Sequence, residues 1–166
     1  MKHVMIVFAL AAALGTAGGV GAAPADSTAG CDARNTVVWL EARGDPGAGS
    51  AWYTLGLTNL SAHRCSLRGY PGVSAVDLGG RQLGSAAGRN PRTPVQTVVL
   101  APEGSGQFLL QVNDPGFFPR GSCPPTTAAG LRVYLPNATS ASVVPVPLRA
   151  CSRAGSVFLH ATAVKG

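Results

Sequence analysis

From Thr36 onward the chain alternates apolar and polar residues in short runs, broken by Gly, Pro, Asn and Ser. Between these breaks the pattern predicts strands near Thr36–Ala42, Ala51–Asn59, Gly72–Asp77, Gln96–Leu100, Gly106–Val112, Leu131–Leu135, Ser142–Leu148 and Ser156–Ala163. Tyr53, Leu55 and Leu57 alternate with Thr54, Gly56 and Thr58, the signature of a strand with one buried face. After the first residues no window carries a 3.6-residue stripe, and Cys123–Ala129 is expected to make one helical turn at most. Short strands at this spacing predict an all-β fold, an antiparallel immunoglobulin-like β-sandwich of about seven to eight strands.

Two details refine that frame. In Val144-Pro145-Val146-Pro147-Leu148 the prolines stand two apart and remove two ladder donors from the same side, so this strand is expected at a sheet edge. Asp45-Pro46-Gly47 is a turn signal between the first two strands. Folding the chain back about residue 48 sets Leu40 near Gly56 and Val38 near Thr58, and brings Cys31 opposite Cys65. A second hairpin around Pro136-Asn137-Ala138-Thr139 carries Cys123 and Cys151 towards a common end. The expected disulfides are therefore Cys31–Cys65 and Cys123–Cys151, each stapling one hairpin of the sandwich.

The start of the chain supplies an address. Met1, Lys2 and His3 form a short cationic segment, Val4–Leu14 an apolar run, and Val20-Gly21-Ala22 a small-residue cleavage triplet. Residues 1–22 read as a secretory signal peptide cut near Ala22/Ala23, 23–30 as a flexible leader, and 31–166 as a single domain. The apolar run falls well short of the roughly 20 residues a spanning helix needs, so no transmembrane segment is expected in the mature chain. All four cysteines lie beyond the signal and would reach an oxidising compartment. Thr28-Ala29-Gly30-Cys31 resembles a bacterial lipid-attachment site only faintly, since Thr28 stands where a larger aliphatic belongs. Free secretion or residence at the cell surface is the expected localisation.

Composition changes the picture in one respect. Charged residues make up 12% of the chain, against roughly a quarter in ordinary domains. The net charge of +6 comes almost wholly from arginine, because Lys165 is the only lysine after the signal. Arginine in place of lysine, with abundant Ala and Gly, is expected of a GC-rich, actinobacterial genome.

A set of blocks resembles a known family. These are Trp52-Tyr53-Thr54-Leu55-Gly56-Leu57-Thr58-Asn59, Cys65, Gly69-Tyr70-Pro71-Gly72-Val73, Gly80-Arg81-Gln82-Leu83-Gly84, Leu100-Ala101-Pro102, Gly130-Leu131-Arg132-Val133-Tyr134 and the last two cysteines. In this order they resemble the secreted actinobacterial domain of unknown function 4232, from Cys31 to about Val164. The resemblance implies a small secreted or envelope-associated β-sandwich, often behind a signal peptide or lipid anchor. It implies no established activity and supplies no catalytic residues.

The chemical inventory is thin. After the signal only His63 and His160 could serve as histidine bases, one in a polar loop and one in the last strand. There is no Gly-x-Ser-x-Gly elbow, His-Glu-x-x-His or phosphate-binding glycine loop, and the carboxylates are widely spaced. The cysteines lack zinc-site spacing and the mature chain has no methionine for copper. No enzyme activity, no cofactor, no metal and no nucleic acid partner are expected.

Two loops remain as interaction candidates. Leu78–Pro102 holds Arg81, Arg89 and Arg92 with no acidic residue, and Arg89 and Arg92 flank an expected exposed loop. Asp114-Pro115-Gly116-Phe117-Phe118-Pro119-Arg120 places adjacent phenylalanines between chain breakers. Either Phe117 or Phe118 stands exposed beside Arg120 as a recognition anchor, or both fold over the open end of the sandwich. The leading expectation is a secreted or cell-envelope, non-catalytic binding domain whose ligand is unknown, an envelope polymer or an extracellular protein. The alternatives are a secreted protease inhibitor, with residues 113–122 as its reactive segment, and a structural envelope component.

Overall fold

The computed structural model describes residues 28–44 and 47–166. The expected signal peptide, most of the expected leader, and Asp45 and Pro46 lie outside the described residues. Thirteen strands form among the described residues: β1 (Thr36–Arg43), β2 (Ser50–Asn59), β3 (Cys65–Arg68), β4 (Gly72–Val76), β5 (Gln82–Leu83), β6 (Gly88–Asn90), β7 (Thr97–Leu100), β8 (Ser105–Asn113), β9 (Pro125–Ala128), β10 (Gly130–Tyr134), β11 (Ala141–Val144), β12 (Leu148–Cys151) and β13 (Leu159–Thr162). The fold is all-β. A five-stranded sheet, β1-β2-β8-β13-β6, and a four-stranded sheet, β11-β10-β4-β5, are joined by the small pairs β12-β9 and β3-β7.

Alternation builds the core. On β8, Gly106, Phe108, Leu110 and Val112 point inward while Gln107, Leu109 and Gln111 do not. Leu55, Leu57, Phe108 and Leu110 from one sheet meet Val73, Ala75, Leu131 and Val133 from the other, all fully buried in one continuous cluster. Across the interior β1 meets β11 and β13 meets β4, which makes the two large sheets the layers of a sandwich. Asn59 closes one end: its buried side-chain amide donates to the carbonyls of His63, Leu100 and Ala101 and accepts from the Ser61 N–H.

The structure departs from the sequence reading in several places. β1 and β2 pair Val38 with Leu57 and Leu40 with Leu55, one residue off the expected register. A bulge between Leu40 and Ala42 absorbs the difference, and the expected register holds only nearer the turn, at Ala42↔Thr54 and Arg43↔Tyr53. The expected strand Ser142–Leu148 is two strands. Pro145 and Pro147 end β11 at the edge of one sheet, and the chain re-enters as β12 in another. Cys123–Ala129 holds the strand β9, and the helical turn is a 3-10 turn at Pro115–Phe117. One pair, β13 with β6, is parallel, so the large sheet is mixed.

The disulfides are Cys31–Cys65 and Cys123–Cys151, with Cα separations of 4.9 and 4.7 Å. Only the second joins the ends of two strands that pair with each other antiparallel, β9 and β12, where Cys151 faces Pro125. The first is not a continuation of the β1–β2 hairpin. β3 leaves that sheet to pair with β7, and the residues before Cys31 run parallel to it through a Gly30–Ser66 bridge. That staple ties the entry segment to the β3–β7 pair.

On the chain-entropy model, loops spanning 34 and 28 residues are each worth about 3.5–4 kcal/mol. The Cys123→Ala/Cys151→Ala chain is therefore expected to unfold at markedly lower denaturant, with a steeper denaturant slope because its unfolded state is less compact, read by circular dichroism. At the β4–β5 turn the Asp77 carboxylate accepts from the Arg81 and Gly79 N–H groups and from the Arg81 guanidinium. These bonds, the Arg81 N–H first, hold the Asp77 carboxyl below its usual range. Its support of the turn is thus complete above the unfolded value of about 4 and lost as pH falls through the lower folded value. A carbon-detected NMR titration checks this, and Arg81→Ala should restore only part of the shift because the backbone donors remain.

Candidate functional site

The two candidate phenylalanines part company. Asp114 accepts at one carboxylate oxygen from the Gly116 N–H at 2.7 Å, capping the 3-10 turn, while Pro115 is buried beneath it. The other oxygen pairs with the Arg149 guanidinium at 3.0 Å. The Asp114 N–H donates to the Gly49 carbonyl at 2.8 Å, so the turn is also stitched to the β1–β2 connection. Phe118 packs against the core, whereas Phe117 is 75% exposed.

The Phe117 ring rests on Gly49, which has a positive φ of 81°; a side chain there would come within 2.9 Å of the ring. A glycine is required on both counts. Phe117 thereby stands as a ridge between two clefts. The first, about 340 Å³, is lined by Gly47–Ala51, Tyr53, Val112, Asp114 and Arg149. The second, about 310 Å³, runs past Ser50, Gln111, Asn113, Phe118 and Pro119.

The candidate arginines do not pool their charge. Arg89 stacks on Tyr70 at 5.4 Å and Arg92 on Trp52 at 5.2 Å. Trp52, under Arg92, faces Gln111, a lining residue of the second cleft, across the β2–β8 register, whereas Arg89 faces Ala161 in the β6–β13 register. Arg120 is exposed beyond the phenylalanines. The site thus joins Phe117 with the Arg92–Trp52 pair at one margin and the Asp114–Arg149 ion pair at the other.

His63 is exposed in the loop after β2, and His160 lies half-buried on β13 with its ring over Gly88. Among the described residues no three His, Cys, Asp or Glu side chains gather as a metal would require. What the end clefts offer is apolar contact, one ion pair and amide donors around a fixed aromatic ring.

Sequence reasoning passes over Trp39 and Trp52, which both stand on the outer face of the large sheet. A signal was present: Gly56 interrupts an otherwise well-patterned strand, and a strand glycine marks close approach by another group. That group is the Trp39 ring.

No curated protein matches the chain. The family described as Domain of unknown function (DUF4232) matches residues 31–165. With nearly the whole described chain covered, the chain belongs to that family.

Proposed function

We propose that this chain is a non-catalytic binding domain acting outside the cell, secreted or held at the envelope, and that it contacts its partner through the Phe117 ridge. The observation that carries this reading is the exposure of Phe117 at 75% on a turn fixed by Asp114, Arg149 and Gly49. An exposed aromatic ring held in place before contact loses little freedom on binding, which suits it as an anchor. Two disulfides fit an oxidising address, and no helix of the described residues is long and apolar enough to cross a membrane. The alternative of a protease-inhibiting segment at 113–122 draws no support from the loop. It is curled into a capped 3-10 turn rather than extended for a protease cleft.

The test is a cross-linking capture from the envelope and culture medium of the producing cell, comparing the natural chain with Phe117→Ala. Loss of an anchor of this kind should weaken capture by roughly tenfold or more. Phe118→Ala, which strips a core contact, should instead lower stability. Equal capture by Phe117→Ala defeats the ridge reading. Turnover of ester, peptide or glycoside substrates that a point mutation abolishes defeats the non-catalytic one.

A further inference from the structure

The sequence holds two tryptophans, and both stand on the outer face of the five-stranded sheet. Trp39 faces Gly56 in the β1–β2 register, and its indole lies over that glycine. A side chain at Gly56 would come within 2.8 Å of the indole Nε1 and closer still to the ring carbons. The Nε1–H donates to Thr58 Oγ1 at 3.1 Å, and Thr58 shares a 2.8 Å hydrogen bond with Ser105. The ring therefore has a seat and a tether, and at 39% exposure it is open to solvent. A shallow depression of about 120 Å³ beside it is lined by Glu41, Ser105, Gly106, Gln107 and Gly166.

Trp52 marks a second station on the same face. It lies four residues along β2 from Gly56, about 13 Å at roughly 3.3 Å per residue. Between the stations stand Thr54 on β2 and Leu109 on β8, with Gln107 beside the first and Gln111 beside the second. This surface combines amides, hydroxyls and rings with the apolar Leu109. Its charged groups sit at the margins: Glu41 on the β1 side, Lys165 across from Gln107, and Arg92 over Trp52.

That charge pattern selects the ligand. A polyanion calls for clustered arginine or lysine along its path, which this face lacks. A sugar chain without charge matches it group for group. The C–H faces of its rings carry slight positive charge and stack on the negative face of an indole. Its hydroxyls donate and accept, as do Gln and Ser side chains, while the Glu41 carboxylate accepts.

We propose that this face binds an uncharged polysaccharide, with one sugar ring stacked on Trp39 and its hydroxyls held by Glu41, Ser105 and Gln107. The proposal rests on the reading of the chain as a binding domain and supplies a ligand class for it, centred on Trp39, whereas the Phe117 ridge adjoins the opposite, Gln111 end of the face.

The test is native affinity electrophoresis of the intact protein through gels holding hydroxyethyl cellulose, glycol chitin or dextran. At least one should retard the protein. Trp39→Ala should weaken that retardation by roughly tenfold, the scale of one ring stacked on one aromatic side chain. Gln107→Ala should weaken it in the same direction, and Val143→Ser, an exposed position on the edge strand of the other sheet, should leave it unchanged. Because both tryptophans lie on this face, indole emission should shift when the retarding polymer is added. Gly56→Ala, which unseats Trp39, should shift emission without ligand and impair retardation. Passage through all three gels without retardation, or equal retardation of Trp39→Ala, overturns the proposal. So does retention on polygalacturonate alone, released by salt and indifferent to Trp39→Ala. Loss of captured partner by Phe117→Ala with no retardation in these gels leaves the ridge standing and removes this site. Trp39-dependent retardation accompanied by release of soluble sugar upholds the site and removes the non-catalytic reading.

Discussion

The pairing of β2 with β8 is the constraint on which the remainder depends. The two strands stay in register without interruption from Ser50↔Asn113 to Thr58↔Ser105. A strand's side chains alternate strictly, so one register decides both faces at once. Inward it delivers Leu55, Leu57, Phe108 and Leu110 to the core; outward it delivers Trp52, Thr54, Gln107 and Gln111. A slip of one residue would send polar groups into the core and bury the outer surface. Stability and surface chemistry are in this way settled by a single alignment.

What could be read in advance follows from that physics. β2, β8 and β10 have inward residues that are apolar and outward ones that are mostly not, so alternation reveals them. β6 has no such contrast: Gly88–Asn90 joins the sheet in parallel beside β13 through backbone bonds, to which composition is blind. The bulge after Leu40 left no mark either, since Glu41 is an ordinary polar residue at an expected polar position. The prolines at 145 and 147 did announce an edge, but their effect was stronger than an edge alone. They stop one strand and let the chain change sheets.

The candidate surfaces were legible to different degrees. Phe117 and Phe118 are chemically identical, and their divergence is decided by contacts remote in sequence, Gly49 beneath one ring and the core beside the other. Arginines counted along the chain as a basic loop separate in space because each finds its own aromatic ring, on Tyr70 or on Trp52. For Trp39, the alternation of Val38 and Leu40 inward already implied an outward ring. Only the structure shows that Gly56 gives it a floor.

The Cys31–Cys65 bond has a mechanical consequence. Residue 31 is joined covalently to residue 65, and four residues farther the Gly69 carbonyl accepts from the Val164 N–H. Tension between the entry segment and the last strand region would pass through this short route. β1 hangs from the closed loop between residues 31 and 65, off that line, whereas β8 is tied directly to the chain's last residues by the paired backbone hydrogen bonds of Gln107 and Lys165. A pull between the two ends would thus spare the Trp39 strand and fall first on the Gln107 side of its surface.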